Sequence, residues 1–81
     1  MNETVLIKRA QNGDSKAFEL LIEAHFKKIY NIAYRISGNP DDASDMTQEV
    51  MIKLLRNINS FEGNSKFSTW VYRVATNTCI D

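Results

Sequence analysis

Residues Asp41 to Asp81, DDASDMTQEVMIKLLRNINSFEGNSKFSTWVYRVATNTCID, decide how the rest of the chain is read. Apolar residues recur there at steps of three and four on either side of a polar break. The pattern predicts two amphipathic helices joined by a short loop. In the first, from Pro40 to about Asn57, Ala43, Met46, Val50, Leu54 and Ile58 form the inward stripe. Asp45, Gln48, Glu49, Ile52 and Arg56 share the opposite side. Spacing Asp45 and Glu49 four apart costs roughly a few tenths of a kcal/mol through like-charge repulsion. An acidic face that also carries an apolar side chain suits docking to a basic partner helix; the simpler alternative is a solvated face. A calcium loop does not fit, because the acids lie on a helix and the glycine turn is missing.

The loop from Asn59 to Lys66 is polar apart from Phe61, with Gly63-Asn64 as its turn signal. Ser65 is placed to cap the helix that follows. In that helix Phe67, Trp70, Val71, Val74 and Thr78 face the core, while Tyr72, Arg73, Thr76 and Asn77 lie around the outer sides. Arg73 and Asn77 are four apart and can serve one ligand together. The helical pattern is still running at Asp81 with no stop signal, which implies a longer parent chain.

Upstream, Gly38-Asn39-Pro40 reads as a stop and a restart: glycine ends one helix, asparagine caps the next, and proline takes its first position. Asp41 and Asp42 then meet the positive end of the helix dipole. One long helix is expected from Ser15 to Ile36, with Phe18, Leu21, Ile22, Phe26, Ile29, Ala33 and Ile36 as its apolar stripe. Glu23 and Lys27 stand in the favourable order for an ion pair across one turn. His25 has no cysteine or second histidine near it and reads as packing, as do Tyr30 and Tyr34. A short first helix, Glu3 to Asn12, turns Val5, Leu6 and Ala10 inward; Gly13 ends it and Asp14 caps its successor.

The whole is expected to be one all-α domain over residues 1–81. It has a short helix, a long one, and then two joined by a polar loop, a compact four-helix arrangement. Hydrophobic residues at 43% suffice for one core, though a chain of 81 residues buries only about 60–65% of its unfolded surface. No apolar run is long enough to span a bilayer, and no charged-then-apolar leader opens the chain. The lone Cys79 leaves no intrachain disulfide and reads as a buried helix residue, consistent with a reducing, cytoplasmic setting. Nothing resembles a nucleophile–base constellation, a phosphate loop or a metal-ligand set, so no catalytic residue, metal or cofactor is expected.

The ten basic and ten acidic residues cancel, but unevenly. Between Asp41 and Ile52 there are four acids and no base. A stand-alone duplex-DNA binder carries a marked basic excess, because phosphate neutralisation supplies most of its affinity. Any contact with nucleic acid would therefore need something else to deliver the domain.

Three motifs in order carry a family likeness: G-D-x-x-A-F at Gly13 to Phe18, D-A-x-D-x-x-Q-E at Asp42 to Glu49, and S-F-x-G-x-S-x-F-x-T-W-x-Y-R-x-A-x-N at Ser60 to Asn77. The chain resembles the second conserved region of the extracytoplasmic-function group of sigma-70 family sigma factors. That resemblance implies a domain that binds RNA polymerase core and opens the minus-ten promoter element. It puts polymerase docking, on the clamp helices of the largest subunit, at Asp45, Gln48 and Glu49, with Ile52 and Arg56 as neighbours. It puts capture of a flipped base of single-stranded, non-template promoter DNA at Asn57, Asn59, Ser60, Phe61, Val74 and Asn77. Lys66 and Arg73 would then contact the DNA backbone. The family's minus-thirty-five-binding domain and the basic run expected just beyond Asp81 are absent from the sequence. An anti-sigma factor is a common partner in the group, although no residue here identifies one. The rival reading is a helical protein–protein adaptor with no nucleic-acid role, which gives no reason for a base-sized polar site around Phe61 and Asn77.

Overall fold

The computed structural model describes residues 2–80. Its elements in order are α1 (Glu3–Gln11), α2 (Ser15–Glu23), α3 (Phe26–Ser37), α4 (Pro40–Asn57), a 3-10 turn (Ile58–Ser60) and α5 (Phe67–Ile80). The domain is all-helical, as expected, with no strand among the described residues. The expected mid-helix chain end at Asp81 lies outside them.

Helix starts follow local chemistry. A first turn has amide protons with no partner inside the helix, and a short polar side chain just ahead supplies one. Asn2 accepts from Val5 N at 2.9 Å, Asp14 from Ala17 N at 3.1 Å and Asn39 from Asp42 N at 2.9 Å. Asn39 also donates back to the Asp42 carboxylate at 2.8 Å, so the start of α4 is closed in both directions. Gly38 ends α3 at φ 78°, a left-handed position that a side chain would strain.

The long helix expected from Ser15 to Ile36 is instead two, α2 and α3, broken at Ala24–His25. The His25 amide reaches back only three residues, to Ile22 O at 2.8 Å, and His25 sits at φ −111°, ψ −3°. Neither residue is a helix breaker, so local propensity gives no warning. Tertiary contacts accompany the bend. The His25 ring stands edge-on to Phe67 with centroids 5.4 Å apart, and its Nε2 lies 3.3 Å from the Glu3 carboxylate. The break turns the stripe of α3 relative to that of α2, leaving Phe26 49% and Ile36 43% exposed. Glu23 and Lys27 now fall on either side of it and do not pair; the one acid–base side-chain contact among the described residues is His25 Nε2 with Glu3. In α1 it is Ile7 that packs inward with Leu6 and Ala10, while Val5 faces solvent.

The core runs through every helix: Ala10, Phe18, Leu21, Ile22, Ile29, Ala33, Ala43, Val50, Leu54, Ile58, Phe67, Val71, Ala75 and Cys79. α1 packs on α2 and reaches the 3-10 turn, while α3, α4 and α5 pack on one another. Two buried threonines satisfy their hydroxyls within their own helices. Thr47 donates to Ala43 O and Thr78 to Val74 O, each at 2.7 Å. Cys79 is buried as expected, and burial first, then the Glu49 carboxylate, hold its thiol above the usual value. Among the described residues no helix is long and apolar enough to cross a membrane.

Candidate functional site

Two surfaces carry the residues singled out in the sequence. The first is the outer face of α4. A helix with its inward stripe committed to the core must present the opposite stripe to solvent. Asp45, Gln48, Glu49, Ile52 and Arg56 are all exposed there, Ile52 by 51%. No side chain of this set pairs with another, so the acids are available to a partner. The bend at His25 adds to this face. The exposed Phe26 joins Tyr30, Ser44, Thr47, Gln48, Met51 and Ile52 around an open, mainly apolar groove of about 720 Å³ between α3 and α4. Phe26 was expected in the core, and only the bend reveals it as surface.

The second surface is the segment from Asn57 to Lys66 with the outer side of α5. Asn57 ends α4 with its amide donating to Lys53 O at 2.8 Å, and the Ser60 hydroxyl donates to Asn57 O at 2.7 Å. Asn57, Asn59, Ser60, Lys66, Arg73 and Asn77 are exposed, while Phe61 and Val74 are half-buried against the core. Phe61 is the anchor of the loop. Its ring lies 5.3 Å from Phe67, edge-on, and 5.6 Å from Trp70, so the three aromatics form one cluster with Trp70 as its half-buried outer member. Pairs of this geometry contribute roughly 0.5–1.5 kcal/mol beyond their buried area. Gly63 takes φ 83°, the left-handed position that lets the loop turn back toward α5.

Ser65 does not cap α5. Its hydroxyl is turned to Lys66 O at 3.3 Å, and it is Lys66 O that accepts the first helical bonds, from Thr69 N and Trp70 N. The shift by one residue leaves Lys66 at the helix start, with its ammonium exposed. The cleft that the loop lines opens on its α1 side, bounded by Ile7, Lys8, Gln11, Phe61, Glu62 and Phe67 among others. Of the residues singled out for base capture, only Phe61 borders it.

One contributor escaped the sequence altogether. Gln11, the last residue of α1, donates its side-chain amide to both Ile58 O and Phe61 O at 2.9 Å. Its partners are 47 and 50 residues away, and a glutamine at a helix end carries no signal of its own.

Comparison with known proteins places this geometry. Residues 21–81 match the model of Sigma-70 region 2. The chain is 47% identical over 75 residues to the ECF RNA polymerase sigma factor SigW of Bacillus subtilis (strain 168), covering 93% of this chain and 40% of that protein. It is 41% identical over 78 residues to the ECF RNA polymerase sigma-E factor of Escherichia coli (strain K12), covering 96% of this chain and 40% of that protein. The chain thus spans about 40% of the length of these relatives. Its backbone superposes with a TM-score of 0.90 on the NMR structure of an engineered region 2 of sigmaE in complex with GTAAAA. That match has 41% identity and covers 99% of this chain and 83% of the other. Sigma factors are transcription initiation factors and not enzymes. The all-helical fold, the three motifs and these matches agree: the chain belongs to the sigma-70 region 2 family.

Proposed function

We propose that residues 1–81 are a sigma factor region 2 module that binds RNA polymerase core and recognises the minus-ten element as single-stranded DNA. The observation that carries this reading is the 0.90 superposition, over 99% of this chain, on a region 2 in complex with GTAAAA. The polymerase clamp helices dock on Asp45, Gln48 and Glu49, with Ile52 and Arg56 at the margin and the Phe26–Met51 groove extending the apolar part of the contact. Unpaired acids on a rigid helix steer a basic partner and fix its register.

A flipped non-template base meets the other surface. Asn77 and Asn59 offer amides to its polar edge, Ser60 and Asn57 border it, and Val74 with the rim of Phe61 replaces lost stacking. Lys66 and Arg73 hold the phosphates. The balanced charge fits this division of labour: polymerase supplies the delivery, and the module supplies the readout. The setting is cytoplasmic, as for the sigma factor relatives, and an anti-sigma factor is a further candidate partner.

Trp70 gives the test a built-in reporter, since it lies 5.6 Å from Phe61 and is the one tryptophan. Its fluorescence is titrated with short single strands of varied minus-ten sequence, for the native chain and for Asn77→Ala. Saturable binding that depends on sequence, and that Asn77→Ala weakens by about tenfold, is expected. Binding to no single strand, or equal binding to all with Asn77→Ala unchanged, would overturn the base-capture reading.

A further inference from the structure

We infer that Gln11 is a positioning residue for base recognition: it clasps the 3-10 turn from α1 and so sets how Asn59 and Ser60 are presented to a single strand. The inference rests on the functional reading above and adds to it a residue outside the family match, which begins at residue 21.

The geometry is specific. A primary amide has two N–H donors, and Gln11 uses both, one on Ile58 O and one on Phe61 O, each at 2.9 Å. These two carbonyls flank Asn59 and Ser60, the pair of exposed polar residues at the tip of the turn. Both partners are acceptors, so only the nitrogen of the amide can face them, and the orientation is fixed by chemistry. The contacts are partly buried, and the Phe61 carbonyl, left without this donor, would not be fully rescued by water. Ile58 O also accepts from Phe61 N at 3.2 Å, so the clasp reinforces the hydrogen bond that defines the turn.

Other ties hold the loop at its ends. Ser60 bonds back to Asn57 O, and Phe61 packs on Phe67 and Trp70. Gln11 is the side chain that reaches the stretch between those anchors from another part of the chain. α1 itself has a modest core role, with Ala10 as its one buried residue. Loss of the amide should therefore disturb presentation of Asn59 and Ser60 far more than it disturbs the fold.

The test uses Gln11→Glu, which keeps shape and length but replaces the donors with a carboxylate that two carbonyls repel, beside Gln11→Ala. Three quantities are read: amide hydrogen exchange over residues 58–65, affinity for the preferred single strand against one altered at the pocket base, and affinity for a polymerase clamp-helix fragment. Faster exchange in the loop, about tenfold weaker binding of the preferred strand and a flattened preference between strands are expected in both variants, with clamp-helix affinity unchanged. Native-like exchange and native-like preference in both variants would overturn the inference while leaving the functional reading intact. Equal losses of strand and clamp-helix binding would overturn it too, because they signal general destabilisation. A native chain that binds no single strand would overturn the functional reading, and the recognition role of Gln11 with it.

Discussion

The outer face of α4 and the loop before α5 are neighbours along the chain, yet they are held in place by different physics. The α4 face is made by one continuous helix of 18 residues, capped at its start by Asn39 and backed by Ala43, Val50 and Leu54 in the core. Each exposed side chain inherits its position from the helix geometry beneath it, with no side-chain hydrogen bond required. The loop has no such frame. Beyond the local Ser60 bond to Asn57 O, it is ordered by contacts from outside it: the Gln11 clasp and the packing of Phe61 on Phe67 and Trp70. A docking face built locally stays rigid whatever the loop does. A recognition loop built on distant ties can adjust when a base enters, and fails when a tie is cut.

Substitutions should affect the two surfaces unequally. The largest effect is expected from Phe67→Ala. Phe67 is buried and holds His25, Phe61 and Trp70 together, so removing it should cost about 3–5 kcal/mol in a urea melt. Strand binding should be lost before clamp-helix binding as denaturant rises. Simultaneous loss would mean the two surfaces are less independent than the contacts imply.

Next comes the pair Asp45→Lys with Glu49→Lys. Placing like charge against a basic partner should weaken clamp-helix binding by more than tenfold, while stability stays within about 0.5 kcal/mol. Binding indifferent to the reversal would remove the α4 face from the docking account. Asn39→Ala strips the cap from α4 and should lower stability by about 1 kcal/mol in a thermal melt, with the strand preference unchanged. A changed preference would tie the loop to the far end of α4.

Cys79 should give the smallest effect. Its thiol is held up by burial and then by Glu49, so the folded state keeps its proton more tightly than the unfolded chain does. The resulting stability is present below the ordinary thiol range and is lost as pH rises through that range toward the raised folded value. A thiol reagent should react with the native chain more slowly than with the unfolded chain at every pH up to that point. Equal rates would show α5 opening readily beside Glu49.

The same contrast explains what was legible in the residues alone. The stripe of α4, its cap, the Gly38 stop and the exposed acids all follow from spacing and local chemistry, and the structure agrees with each. The bend at Ala24–His25 could not be read, because its support comes from Glu3 and Phe67, 22 and 42 residues from His25 in the numbering. The bend puts Phe26 at the surface and separates Glu23 from Lys27. The loop was recognisable as a loop, and Phe61 as its odd aromatic. Its ordering by Gln11 was not, since a side chain whose partners lie 47 and 50 residues away leaves no periodic trace. Ser65 illustrates the local limit: a serine near a helix start is a good cap only at the right register, and the helix began one residue later.

The claim that the two surfaces are separate can be tested most directly by one NMR titration. The isotopically labelled chain is titrated first with a polymerase clamp-helix fragment and then with a single-stranded minus-ten hexamer. Two disjoint sets of shifted amides are expected, the first along Asp45 to Arg56 with Phe26 and Tyr30. The second should cover residues 57–66 and the Arg73–Asn77 side of α5. A single overlapping set, or a hexamer that shifts the Asp45–Ile52 face and leaves the loop unmoved, would contradict it.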